Sequence, residues 1–127
     1  MRQTILSGSP FEATIGFARA VRIGANVAIA GTAPIGKDGK TVAPGDVYAQ
    51  TRRCIEIAEA ALLELGLSLD NVIRTRVMLV DISRHAEAAR AHGERFRTVR
   101  PATTFVEVSR FIDPEWLVEI ELDAIAS

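Results

Sequence analysis

The stretch Arg100–Ala126, RPATTFVEVSRFIDPEWLVEIELDAIA, decides how the rest of the chain is read. It divides into two β-strands around a turn. Val106, Val108, Val118, Ile120 and Leu122 alternate with Phe105, Glu107, Glu119, Glu121 and Asp123, and a period of two marks strands with one apolar face and one of different character. Asp113-Pro114-Glu115 separates the strands, because proline has no N–H to donate and a fixed φ. The second face carries Glu119, Glu121 and Asp123 in succession from one strand. Either it is open to water, as one side of an antiparallel sheet often is, or it lines a pocket or a subunit interface.

Upstream, Val72–Val80 reads as another strand, with Val77 and Leu79 pointing one way and Arg74, Arg76, Met78 and Val80 the other. Between these strands an alanine-rich helix spans Arg84–Phe96, with Ser83 as its cap and Ala89 and Phe96 as its expected contacts. A longer helix is expected from Val47 to Leu65, capped by Asp46 and stopped by Gly66. Its apolar positions Val47, Thr51, Cys54, Ile55, Ala58, Ala61, Leu62 and Leu65 have helical spacing, and Arg52 with Glu56 forms an i,i+4 pair on the outer side. Before it come a short strand at Arg2–Leu6, a loop at Phe11–Gly16, and a hairpin of Arg19–Ile23 and Asn26–Thr32 around Gly24-Ala25. Strands grouped before and after two helices give an α+β domain over residues 1–127, in the pattern β-β-α-β-α-β-β, with one sheet face under both helices.

Composition narrows the class. At 127 residues, 48% hydrophobic and 24% charged, the chain has the make-up of one soluble globular domain. No apolar run reaches membrane-span length, and Met1-Arg2-Gln3-Thr4 lacks the apolar segment of a signal peptide, so a cytoplasmic setting is expected. The single Cys54 excludes an internal disulfide. A net charge of −1 argues against a nucleic-acid surface, which is usually strongly basic.

The final strands also carry a resemblance. Pro101-Ala102-Thr103-Thr104-Phe105-Val106-Glu107-Val108 with Val118-Glu119-Ile120-Glu121 resembles the closing signature of the RidA/YjgF (Rid) superfamily. Gly31-Thr32-Ala33-Pro34, Gln50-Thr51-Arg52 and Val77-Met78-Leu79-Val80-Asp81 match further pieces of that family in order. The resemblance implies a chorismate-mutase-like fold and a homotrimer. The sheet face away from the helices would line its inside, here Arg76, Met78, Thr103, Phe105, Glu107, Glu119, Glu121 and Asp123. It also implies a small-molecule ligand in an inter-subunit cleft. In Rid imine deaminases an arginine of a Pro-Ala-Arg-Ser motif binds the substrate carboxylate, and a glutamate of the last strand positions the hydrolytic water.

Glu119 matches that glutamate and is the expected catalytic residue. Thr103 stands at the arginine position and cannot make a bidentate charged pair. The family's tyrosine falls at Ala18, preceded by Phe17 where proline is usual; its serine falls at Ala30, and a helix asparagine at Ala89. The expected ligand-binding set is therefore Thr103, Phe105, Arg76, Phe17, Ala18 and Ala30. Arg76 either replaces the lost cation or neutralises Glu119, Glu121 or Asp123. Trp116 either stacks on a ligand or packs at the trimer edge. A cleft widened at Ala18 and Ala30 and lacking the arginine should prefer a neutral or extended ligand to a short carboxylate.

Other chemistries are less well supported. Cys54 falls in the apolar stripe of a helix, as an inert core thiol does. His85 and His92 lie about 10.5 Å apart along a helix axis, too far to share a zinc ion. No glycine-rich turn opens directly onto a helix with a lysine, so neither metal nor cofactor is expected. Three functions stay open: an imine or enamine deaminase-type hydrolase, a non-catalytic ligand-binding or regulatory trimer, and a ribonuclease or translation inhibitor, the last opposed by the net charge.

Overall fold

The computed structural model describes all residues, 1–127. Alternation and helical spacing produce the elements they imply: strands β1 (Arg2–Ile5), β2 (Ala20–Ile23) and β3 (Asn26–Thr32), helix α1 (Val47–Glu64), strand β4 (Val72–Leu79), helix α2 (His85–Phe96), and strands β5 (Ala102–Glu107) and β6 (Val118–Ile125). Asp46 caps α1 by accepting from the Ala49 N–H at 2.9 Å, and Gly66, at φ +77°, ends it. The six strands form one sheet in the order β1-β2-β3-β6-β4-β5, parallel between β4 and β5 and antiparallel elsewhere. Both helices lie on one face. Ile55, Ala58 and Leu62 from α1 and Ala88 and Phe96 from α2 meet Val77, Leu79, Val118, Ile120 and Leu122 in the core. Full burial of each large aliphatic side chain contributes roughly 1.5–3 kcal/mol.

Strands β5 and β6, joined through Asp113-Pro114-Glu115, are not neighbours in the sheet. β4 lies between them. This corrects the alternation expected across the turn. In the parallel register Thr75 faces Thr103 and Val77 faces Phe105, so Thr103, Phe105 and Glu107 share the helix-covered face. Phe105 packs on the core with its ring 6.0 Å from that of His92, and Glu107 accepts from the Ile82 N–H at 3.0 Å. The open face is completed by Thr104 and Val106, opposite Arg76 and Met78. A strand's parity follows its sheet partner, not the strand that comes next in the chain.

Smaller differences have local causes. Asp81, not Ser83, caps the turn before α2, accepting from the Ser83 N–H at 3.0 Å. Residues 82–84 form a 3-10 turn, and α2 starts at His85. Phe96 sets the phase of α2, burying Ala88, Ala91 and His92 and leaving Ala89 exposed. On α1 it is Arg53 that pairs with Glu56, at 3.5 Å, while Arg52 lies over the Tyr48 ring at 5.9 Å. Residues Glu12–Gly16 are a single π-helical turn, not a loop.

Candidate active site

Glu119 sits on β6 between Val118 and Ile120, both fully buried against the helices, so its own side chain turns to the opposite face. Beside it, β3 changes register. Ile29 faces Leu122 and Thr32 faces Ile120, which sets Ala30 and Gly31 against Glu121 alone. This is a β-bulge, a device that re-aims nearby side chains. It brings Gly31 under the Glu119 carboxyl, where a Cβ on Gly31 would lie 2.9 Å from Glu119 Oε1. Any side chain at position 31 would push the Glu119 carboxyl aside, although the Gly31 backbone is not left-handed.

Next to the bulge lies Arg19, 7% exposed. It donates from Nη1 to the Gly31 carbonyl (2.7 Å) and Thr32 Oγ1 (3.1 Å), and from Nε to Ser7 Oγ (3.3 Å). Its guanidinium carbon is 5.4 Å from the Phe17 ring centroid. Ser7 also donates to Glu12 Oε2 through N–H (2.9 Å) and Oγ (2.7 Å), and the Gly8 N–H donates to Glu12 Oε1 at 3.1 Å. The π-helical turn is thus anchored to Arg19 by way of Ser7.

The two carboxyls near Arg19 titrate differently. Burial opposes ionisation of Glu12, but the Ser7 and Gly8 donors and the Arg19 charge outweigh it, holding its pKa below the ordinary 4.5. Glu119 receives no hydrogen bond, so burial dominates, only partly offset by Arg19, and its pKa is raised above 4.5. Burial lowers the Arg19 pKa, opposed by Glu12 and Glu119. The Cys54 thiol, wholly buried, is pushed well up and stays protonated.

Glu119, Arg19 and Phe17 line a cleft of about 890 Å³, walled also by Phe11, Ile15, Ile112 and Trp116. Trp116 reaches it from the turn before β6, which Gln50 holds from α1. The Gln50 side chain donates to the Glu115 carbonyl at 3.0 Å and accepts from the Leu117 N–H at 2.9 Å, fully buried. Phe11 meets the Trp116 ring edge-on at 6.4 Å.

Of the ligand-binding residues expected from sequence, Phe17 alone joins Glu119 in this cleft. Ala18 and Ala30 are half-buried outside it. Arg76 pairs with Glu121, Arg74 reaches Asp123 at 3.7 Å, and neither arginine lines the Glu119 cleft. Thr103 lines a separate pocket of about 400 Å³ with His92, Arg97 and Arg100. The Thr75 hydroxyl lies 2.9 Å from His92 Nε2 and 2.8 Å from Thr103 Oγ1, and Thr103 donates to the Pro101 carbonyl at 3.0 Å. Burial depresses the His92 pKa, so the ring stays neutral longer than a free histidine on acidification.

Sequence reasoning missed Arg19, Glu12, Gly31 and Gln50 as parts of the site. Arg19 is one of many arginines in the chain, and the bulge that buries it leaves no mark in the alternation. Cations other than the family arginine border the cleft: besides Arg19, it is lined by Lys37, Lys40 and Arg53.

A six-stranded sheet with two helices on one face, and a cleft beside it that bears the Glu119 carboxyl, define an α+β protein of the YjgF type. The sequence model described as endoribonuclease L-PSP matches residues 8–126, and the chain belongs to that family, the YjgF/RidA proteins. It is 46% identical over 121 residues to an uncharacterised protein of Streptomyces coelicolor, covering 94% of this chain and 89% of that one. The structure of Rv2704 from Mycobacterium tuberculosis, of the YjgF/YER057c/UK114 family, superposes with a TM-score of 0.90 at 43% identity, over 99% of this chain and 100% of that one. TdcF of Escherichia coli, solved with bound serine, gives a TM-score of 0.80 at 26% identity over 87% of this chain and 88% of that one. No helix is long and apolar enough to cross a membrane.

Proposed function

We propose that the protein hydrolyses a small imine, enamine or related metabolite in a cleft completed by subunit assembly, with Glu119 as general base. The observation that carries this reading is the Glu119 carboxyl itself: it lines the cleft, accepts no hydrogen bond, and has a pKa raised by burial. A base is most effective when its pKa approaches the working pH. In the reaction Glu119 takes a proton from water as the oxygen adds to the carbon of the protonated C=N group, giving a neutral carbinolamine. It returns that proton to nitrogen and then takes the proton of the new hydroxyl as the C–N bond breaks, leaving a carbonyl and ammonia or an amine. The serine bound to TdcF supports a small metabolite as the ligand.

Assembly enters because Thr103 and Glu119 lie on opposite faces of one sheet. The β5 edge meets a Glu119 cleft only if another subunit supplies it, and the family resemblance favours a homotrimer as that assembly. Light scattering at micromolar concentration should report three subunits, and a monomer would remove this part of the reading.

A coupled assay generating 2-iminopropionate tests the chemistry. Turnover above the buffer rate is expected, about one to two orders of magnitude below that of a relative with arginine at the position of Thr103, since a charged hydrogen bond is worth roughly 1.5–3 kcal/mol. Glu119→Gln should reduce it at least about a hundredfold. No acceleration by wild type on imine substrates would favour a second reading, a non-catalytic ligand-binding trimer. The Thr103 hydroxyl speaks for that reading, because the Pro101 carbonyl already takes its proton.

A further inference from the structure

Buried charges are normally paired. Arg19 is more than nine-tenths buried, yet no carboxylate lies within ion-pair distance of it. Glu12, the acid nearest in effect, has its oxygens engaged by Ser7 and Gly8. Three of the five guanidinium N–H groups are placed, by Ser7, Gly31 and Thr32. Nη2 donates to nothing, and it is not sealed from solvent as the indole nitrogen of Trp116 is. A rigid planar donor with one side free is built to receive an anionic oxygen.

A second feature of the same cleft points to an occupant. Trp116, Phe11, Ile15, Phe17 and Ile112 form apolar surface of the same cleft, and Ile15 and Ile112 are 60% and 65% exposed, an apolar lip left to solvent.

We infer that Arg19 is the anion receptor of this cleft, and that its ligand carries a carboxylate or similar oxyanion on an apolar body. The family resemblance places its carboxylate arginine at position 103 and assigns none at 19. The anion therefore enters from the β2 side, against Phe17, and the apolar body lies toward Trp116. This rests on the Glu119 cleft being the binding site and deepens that reading by naming what the cleft selects. It replaces the neutral ligand expected when the cleft is taken to lack a cation.

Trp116 is the one tryptophan of the chain, so its fluorescence reports occupancy directly. Phenylacetate and phenylacetamide, alike except for charge, serve as probes of the full-length protein. Phenylacetate should bind about tenfold more tightly, the size of one charge-assisted hydrogen bond. In Arg19→Gln the ratio should fall to within about twofold. Because Arg19 also holds Ser7 and the bulge, Arg19→Lys is the companion variant: it keeps the charge but not the free planar edge, and should lose most of the preference. Equal affinity for the two probes, saturable binding of neither, or a wild-type ratio in both variants overturns the inference, as does loss of the preference in Arg53→Gln instead. Acid-selective binding without turnover of any imine leaves this inference standing and removes the hydrolase. Turnover without acid preference does the reverse.

Discussion

Glu12 and Glu119 stand near the same guanidinium, and their surroundings give them opposite characters. Glu12 meets three donors at 2.7–3.1 Å on the π-helical turn. Glu119 meets none, held against Gly31 by strand geometry. The first is a fully coordinated anion that fastens Ser7 and the N-terminal segment to the sheet. The second is a half-buried carboxyl that meets no donor, with a raised pKa. Two residues of identical chemistry are divided into an anchor and a proposed reagent by local donors and burial, and the charge of Arg19 is common to both. Perturbed carboxyls of the second kind concentrate at functional sites.

Replacing each by glutamine should split these characters most sharply. General bases contribute about 10²–10⁴-fold, so Glu119→Gln should reduce imine turnover by at least about a hundredfold with no loss of stability in urea unfolding, since the substitution removes a charge that burial disfavours. Glu12→Gln should do the converse. Its amide cannot accept from both the Ser7 and Gly8 sides, and the protein should lose roughly 1.5–3 kcal/mol of stability, the range for hydrogen bonds to a charged group. A stable Glu12→Gln protein, or a Glu119→Gln protein with full turnover, would erase the distinction.

Gly31→Ala probes the contact that holds Glu119 in place. The added methyl meets the end of a flexible side chain, 2.9 Å away, and no backbone. The protein should therefore fold with under about 1 kcal/mol of change, while the displaced carboxyl loses alignment and kcat falls about tenfold or more. Full turnover in this variant would mean that Glu119 acts without that fixed position.

The contrast between the two acids was only half legible in the sequence. Alternation along Val118–Asp123 is enough to aim Glu119 away from the helices, and the spacing of Cys54, Ile55, Ala58 and Leu62 is enough to define the buried stripe of α1. Periodicity is a local property, which is why these readings succeed. The parity of Thr103 and Phe105 depends on β5 pairing with β4, some thirty residues earlier, and no local pattern encodes a partner. Arg19 is harder still. Its burial requires the β3 bulge, Ser7 and the Glu12 turn together, and each of these reads in isolation as ordinary loop chemistry. Gln50 belongs to the family pattern, but its clamp on residues 115 and 117 appears only when the ends of α1 and β6 are set side by side.

The smallest effect is on the pH dependence of stability, and there the two acids should act with opposite sign. Glu12, with its folded pKa below 4.5, contributes stability that is present above 4.5 and lost as pH falls through the folded value. Glu119, with its folded pKa above 4.5, holds its proton more firmly in the folded chain than in the unfolded one. Its contribution vanishes below 4.5 and turns against folding as pH rises from 4.5 through the folded value. His92 adds a third slope, because its depressed pKa costs stability as pH falls below the ordinary 6.5. The wild-type curve mixes all three, so the informative quantity is the difference between each variant and wild type, in which His92 cancels. Urea unfolding at a series of values from about pH 3 to 7 supplies it. The deficit of Glu12→Gln should be constant above pH 4.5 and shrink on the acid side. Glu119→Gln should gain relative to wild type as pH climbs past 4.5 and then level off. Parallel curves for both variants would mean that the two carboxyls titrate alike, and the division between anchor and reagent would fail with them.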